Sequence, residues 1–287
     1  MIHLTRHAIS TIRENYHEPI YLDDLARSVM MSKFYFLRVF QRTTGVTPGR
    51  FLSAVRLYEA KRLLVNTDFN VADISAQVCY SSASTFSRRF TASVGLSPTQ
   101  FRKIGQGDPA EHPPVIPLPV PPGPLGSVSG TALITGTPLL PLHIGVFDSP
   151  ILQGRPQAWS RLDTAGTFTL PAVPPGTWYL HAVGPSSRTA GGPDGGSPLL
   201  VGTSGPVRVD ADTSTRLDMT VRQEDWTRPP VLLAVPGIGP HPSQSPSPSQ
   251  SPSPLEPKAG PADRWGARPL HRIPYERSAP GGRLAAV

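Results

Sequence analysis

The sequence is poor in the residues that usually mark a reactive site. Its 287 residues include a single cysteine, Cys79, so no intrachain disulfide can form, which fits a reducing compartment. The eight histidines lie far apart, with no Cys/His spacing that would suit a metal ion. Neither a metal nor a cofactor is therefore expected. No stretch approaches ~18 consecutive apolar residues, the length that a membrane-spanning helix needs. The first residues carry no apolar run of signal-peptide length, and the expectation is a cytoplasmic, nucleoid-associated protein. His143, Ser160, Asp163 and His181 occur without the spacing of a catalytic triad and read as surface polar residues. No catalytic residue and no enzymatic activity are expected.

Acidic residues are also scarce where basic ones gather. The chain holds 27 Lys and Arg against 20 Asp and Glu, a net charge of +7. Residues 1–105 contain 14 of the basic and 7 of the acidic residues, and the remainder contains 13 of each, so the whole excess lies in the first third. Proline does the reverse, with only Pro19, Pro48 and Pro98 of its 36 residues before residue 106. An excess of positive charge favours an acidic partner such as nucleic acid. The two shifts divide the chain into 1–105, a Pro-rich linker at 106–124, a third region at 125–223 and a tail at 224–287.

The first region contains an internal repeat. Ser32-Lys33-Phe34-Tyr35-Phe36-Leu37-Arg38-Val39-Phe40 recurs fifty residues on as Ser82-Ala83-Ser84-Thr85-Phe86-Ser87-Arg88-Arg89-Phe90. The same offset aligns Asp23 with Asp73, Ala26 with Ala76, Gly45 with Gly95, Pro48 with Pro98 and Phe51 with Phe101. Each copy reads as helix, turn, helix. Phe36 and Phe40, like Phe86 and Phe90, are four apart and share one helix face. Arg38 and Arg88 fall about 200° around from those rings and point away from the core. Ser32 and Ser82 suit N-caps, Gly45 and Gly95 suit left-handed helix ends, and Thr47-Pro48 and Ser97-Pro98 suit a cap followed by proline at the first helical position. Between the copies, Pro48 to about Val65 predicts a linking helix of roughly 27 Å. Leu4, Ala8, Ile12 and Tyr16 predict a preceding helix with one apolar face.

A helix pair whose second helix shows a basic outward face suits the DNA major groove, which admits one α-helix and offers guanine edges to arginine. The run Ile74-Ser75-Ala76-Gln77-Val78-Cys79-Tyr80 through Phe90, with Gly95-Leu96-Ser97-Pro98-Thr99-Gln100-Phe101-Arg102 after it, resembles the signature of the AraC/XylS family of bacterial transcription regulators. The resemblance covers about a third of the chain. It implies seven helices, recognition helices near 32–43 and 82–93, and double-stranded DNA as the partner, with RNA polymerase as a further candidate partner. It places base reading on Phe34, Leu37 and Arg38 in the first unit and on Ala83, Ser84 and Arg88 in the second. Ser32, Lys33, Arg42, Ser82 and Arg89 are the candidates for contacts to the phosphate backbone. Cys79 departs from the family, which usually has glycine in that turn, so the turn there is expected to be strained.

From about Leu125 to Arg222 the pattern changes to period two. Val128, Gly130, Ala132 and Ile134 alternate with other residues, as do Leu142, Ile144 and Val146, then Phe168 and Leu170, then Trp178, Leu180 and Ala182, then Val207 and Val209, then Leu217, Met219 and Val221. Six or seven short strands in about 100 residues predict a small antiparallel β-sandwich. The segment from Asp163 to Ala182 resembles carboxypeptidase-regulatory-like, or transthyretin-like, domains, with a hairpin at Ala165-Gly166 and a second turn at Pro174-Pro175-Gly176. Such a domain could bind an effector, mediate dimerisation or add bulk, so the alternative to a DNA-binding regulator is an extracytoplasmic or scaffold binding module built on the sandwich. Residues 184–198 read as a long loop, and the Ser/Pro/Gln-rich tail as disordered. Within the tail, Val231-Leu232-Leu233-Ala234-Val235 is an apolar island suited to docking on the sandwich or a partner.

Overall fold

Four helix starts in the first hundred residues fall where a side-chain oxygen takes an orphan amide. The computed structural model describes residues 2–107, 123–135, 141–163, 166–186, 199–225 and 227–234. Seven helices come first: α1 (Ile2–Glu14), α2 (Leu22–Ser28), α3 (Lys33–Thr44), α4 (Pro48–Asn66), α5 (Val71–Gln77), α6 (Ala83–Val94) and α7 (Pro98–Gly105). Thr47, Asn70, Ser82 and Ser97 accept the amides of Arg50, Asp73, Thr85 and Gln100, and Gln100 returns a bond to the Ser97 amide, closing a capping box. Ser32 departs from expectation: its backbone is extended ahead of α3, but its side chain makes no capping bond. Gly45 and Gly95 end α3 and α6 at φ of 82° and 88°, the left-handed region that favours glycine.

Three buried rings centre each unit. Phe36, Phe40 and Phe51 pack edge to face with centroids 5.5 and 5.6 Å apart, and Phe86, Phe90 and Phe101 repeat the spacing at 5.6 and 5.7 Å, with the Phe86–Phe90 pair tilted rather than edge to face. All six are essentially inaccessible to solvent. Here the offset of fifty holds. In the first helix of each unit it is forty-nine. Leu25 and Ile74 are buried equivalents, as are Ala26 and Ser75 and then Val29 and Val78, whereas Ala76 is exposed. Met31 and Tyr80 donate their amides to Ala26 and Ser75 in the same way. The Asp23–Asp73 and Ala26–Ala76 matches are therefore coincidences of sequence. The second unit carries one extra residue, Ser81, between its turn and α6.

The turn residues at equivalent places are Met30 and Cys79, with φ of 52° and 58°. Both hold the left-handed conformation without being glycine, which costs about 1–2 kcal/mol. Cys79 is half-buried rather than a buried core residue. Met30 is 94% exposed, so its side chain contributes almost no packing. Met30→Gly is expected to stabilise the chain by about 0.5–1 kcal/mol, the relief of strain less the extra freedom glycine gains on unfolding. Urea denaturation checks this, and a lowered midpoint would refute it.

Eight strands follow among the described residues: β1 (Gly126–Ile134), β2 (Leu142–Phe147), β3 (Ala158–Leu162), β4 (Gly166–Val173), β5 (Gly176–Pro185), β6 (Leu199–Val209), β7 (Ser214–Arg216) and β8 (Met219–Gln223). Their order is β3-β2-β5-β6-β8-β1-β4, with β7 also on β1. The alternating residues named above do turn inward, with Val128, Leu142, Ile144, Val146, Leu170, Leu180, Val209 and Val221 among the most buried. Three details differ from expectation. The ladder is mixed, since β1 runs parallel to β7 and β8. The short β3, with Ala158 and Leu162 inward and Trp159 and Arg161 outward, and the three-residue β7 are additional strands. Gly166 opens β4, whose ladder partner is β1 and not β3, while Ala165 of the expected hairpin turn lies outside the described residues. Pro174-Pro175 does turn the chain between β4 and β5, and the Trp178 indole caps it by donating to the Pro174 carbonyl at 2.7 Å.

A layer of irregular chain lies between sheet and helices. It is built from residues 149–154, after β2, and from 227–234, which composition had grouped with the tail. The amides of Leu232 and Leu233 donate to the Leu152 carbonyl and tie the two segments together. The side chains alternate. Ile151 and Leu232 enter the core of the helices, while Leu152 and Val231 pack on the sheet with Phe147 and Val183. The apolar island thus docks on both parts. The remainder of the proposed linker, residues 187–198 of the proposed loop, Val235 and the Ser/Pro/Gln run lie outside the described residues.

Candidate nucleic-acid interface

Burial of the Phe stripes leaves the opposite faces of α3 and α6 open. On α3, Phe34, Leu37, Arg38, Gln41 and Arg42 line one shallow hollow, spaced by three or four residues along one side of the helix. Phe34 is 80% exposed despite its size. Arg38 is exposed and lies over the Tyr35 ring at 5.9 Å from its centroid. On α6, the offset of fifty maps these positions to Ser84, Ser87, Arg88, Thr91 and Ala92. Ser87, Arg88, Thr91 and Ala92 line an open hollow with Val71 and the Ser97-Pro98-Thr99 turn.

The excess charge divides by use. Arg56 donates to the carbonyls of Tyr16 and Glu18, and Arg102 to those of Leu64 and Phe69, so both hold helices together. Arg27 and Arg62 form ion pairs along their own helices with Asp24 and Glu59. Arg50 reaches the Ser149 hydroxyl and Lys61 the carbonyls of Val231 and Leu232. Arg38, Arg42, Arg88 and Arg89 are exposed and in no ion pair among the described residues, and all four lie on α3 or α6. A planar guanidinium left free in this way can meet a phosphate or the two acceptors of a guanine edge. Gln41 has the donor and acceptor that suit adenine, and Phe34 and Leu37 have apolar surface that suits a thymine methyl.

The residues marked as backbone contacts are less uniform. Lys33 is held to Asp23 at 3.1 Å, which ties the start of α3 to α2. The Ser82 hydroxyl is engaged in its cap and with Thr85 at 3.0 Å, whereas Ser32 is exposed and makes no cap. Ala83 is half-buried and Ser84 exposed. Gln41, Ser87 and Thr91 were missed as site residues. The signal that could have found them is helical spacing: Gln41 and Thr91 lie three residues after Arg38 and Arg88, and Ser87 lies three after Ser84 and four before Thr91. Among the described residues no group of acidic, His or Cys side chains could hold a metal, and no helix is long and apolar enough to cross a membrane.

His181, expected at the surface, is instead 1% exposed beneath residues 149–154. Its Nε2 faces the Ser149 carbonyl at 2.8 Å and its Nδ1 the Thr203 hydroxyl at 3.0 Å. A carbonyl only accepts, so Nε2 carries the proton and Nδ1 takes the hydroxyl's. Burial pushes the imidazole down to about 4, so it stays neutral and serves the packing of this layer.

A family model described as a helix-turn-helix domain matches residues 25–104. The chain is 33% identical over 97 residues to the lactose operon transcription activator of Staphylococcus xylosus, covering 34% of this chain and 35% of that protein. It is 34% identical over 95 residues to the melibiose operon regulatory protein of Escherichia coli K12, covering 33% and 32%. The chain spans about a third of the length of these relatives. It is 32% identical over 96 residues to the transcriptional activator AarP of Providencia stuartii, covering 33% of this chain and 71% of that protein. Among solved structures it is similar to the DNA-binding domain of AdpA in complex with a target DNA, at 25% identity over 38% of this chain and 97% of that one, with a TM-score of 0.35.

Proposed function

The chain belongs to the AraC/XylS family of helix-turn-helix transcription regulators, and from that premise we propose that it binds double-stranded DNA and regulates transcription by presenting α3 and α6 to two successive major grooves. The observation that carries this reading is that Arg38 and Arg88 stand exposed at equivalent positions of the repeated units, with Arg42 and Arg89 exposed on the same two helices and none of the four in an ion pair among the described residues. Arg38 and Arg88 read bases, with Phe34, Leu37, Ala83 and Ser84 beside them. Arg42, Arg89, Ser32, Lys33 and Ser82 hold phosphates. Residues 1–105 do the reading, and the sandwich at 125–223 supports them. Acting on DNA places the protein in the cytoplasm, with RNA polymerase as the partner through which it would act. The similarity of residues 25–104 supports this reading over a binding module built on the sandwich.

Fluorescence anisotropy with labelled duplex at several salt concentrations tests it. The three cations among the phosphate contacts, Arg42, Arg89 and Lys33, give a slope of log affinity against log salt of about −2.7, roughly a fortyfold loss between 50 and 200 mM. Binding that ignores salt, or no binding at the lowest salt, would overturn the proposal.

A further inference from the structure

The two helix-turn-helix units meet through α4. The closest helix contacts join α1 to α2, α3 and α4, and α3 to α4; on the other side they join α4 to α5 and α7, and α6 to α5 and α7. A single helix shared by two units leaves their mutual angle dependent on how firmly each grips it. The irregular layer between sheet and helices reaches both. Toward the first unit, Arg13 of α1 donates to the Arg228 carbonyl at 3.4 Å, and Arg50 at the start of α4 donates to the Ser149 hydroxyl at 3.1 Å. Toward the second, the Ala234 amide donates to the Val94 carbonyl at 3.0 Å and the Gly154 amide to that of Ser93 at 2.8 Å, both at the end of α6. Near the far end of α4, the Lys61 ammonium donates to the Val231 and Leu232 carbonyls at 3.2 and 3.1 Å and lies over the Phe101 ring of α7.

Ile151 and Leu232, 3% and 0% exposed, fill the helical core from outside the helical region. We propose that the sandwich is a brace: residues 149–154 and 231–234 fix the angle between the two helix-turn-helix units and thereby the half-site spacing that the chain accepts. Burial lowers Lys61 to about 8, against a smaller opposing pull from Glu224, so at neutral pH it is still charged and its two bonds are charge-assisted. The recognition faces stay open, because the hydrogen bonds of the layer fall on α1, α4 and the last turn of α6. The brace leaves base preference to α3 and α6 and sets only the geometry between them. Ile151, Leu232 and Ser149 are positioning residues.

This rests on the DNA-reading function, and its test is built to separate the two. Full-length protein, the Ile151→Ser/Leu232→Ser variant and the milder Ser149→Ala variant are titrated with duplexes whose half-site spacing is changed by one or two base pairs. A one-pair insertion shifts the second half by ~3.4 Å and turns it by about 36°. The unaltered chain is expected to lose at least tenfold in affinity. The double variant should lose less than threefold and Ser149→Ala an intermediate amount, with base preference inside each half unchanged. Equal discrimination in all three proteins overturns the brace while leaving DNA reading intact, as does an unaltered chain indifferent to spacing. A second readout needs no DNA. Spin labels at Arg27→Cys and Ala76→Cys, exposed equivalents on α2 and α5, in a Cys79→Gly background, report the distance between units. A narrow distribution that broadens in the double variant supports the brace; an equally narrow one in the variant overturns it.

Discussion

Phe90→Ala is expected to destabilise the chain by about 3–5 kcal/mol, enough to remove much of the stability of a typical domain. The ring is fully buried, meets Phe101 edge to face and packs tilted against Phe86. Its loss leaves a cavity between α6 and α7 that two short helices, each fixed by a capping bond, cannot close. Phe40→Ala, at the equivalent place between Phe36 and Phe51, should cost about the same, because the repeat has reproduced the packing as well as the sequence. The two trios share no ring, so the costs should add, and the double variant should be largely unfolded at neutral pH. Urea denaturation followed by circular dichroism measures each. A loss below about 1 kcal/mol in either single variant would mean that its core collapses around the gap. Phe90→Leu, which keeps most of the volume, should cost less than about 1.5 kcal/mol.

That symmetry explains why the helical region was legible from sequence. Two Phe pairs four apart, each followed by glycine, then Ser or Thr with proline, specify a buried face, a helix end and the next helix start through local physics. The register of the shorter helices was not legible. Asp23 and Asp73 match as letters, but burial follows Leu25 and Ile74, and a chance identity outweighed a conservative pair. The strands were found by alternation except β3, where Ala158 and Leu162 are modest apolar signals around an exposed Trp159, and the three-residue β7, which has no apolar residue. Parallel pairing of β1 with β8 and the burial of His181 depend on contacts distant in sequence, which no local pattern encodes. The site was half legible. Arg38 and Arg88 stood out because they oppose the rings, whereas Gln41, Ser87 and Thr91 needed the helix face to be laid out in full. The docking of Leu232 shows the same limit from the other side: its run was recognisably apolar, but composition could not say that its neighbours would alternate between two surfaces.

Arg38→Ala and Arg88→Ala are expected each to weaken DNA binding by about 1–3 kcal/mol, roughly 5- to 150-fold, and to relax base preference in different halves of the site. The two helices belong to one chain, so a monomer should read a bipartite, non-palindromic sequence with halves about 10 base pairs apart on one side of the duplex. The halves need not be read equally. The face of α3 offers Phe34, Leu37 and Gln41 around its arginine, with apolar surface for thymine methyls and an amide for adenine. The face of α6 offers Ser84, Ser87 and Thr91, whose single hydroxyls discriminate bases poorly. Arg38→Ala should therefore leave a residual preference in its half, while Arg88→Ala should leave almost none in the other. Arg42→Ala should instead weaken binding to all sequences alike and flatten the salt slope by about 1. Selection of preferred sites from random duplexes with each variant distinguishes these outcomes. Relaxation of the same base positions by Arg38→Ala and Arg88→Ala would end the two-groove model. An Arg88→Ala protein with unchanged preference but a flatter salt slope would reassign α6 to the phosphate backbone.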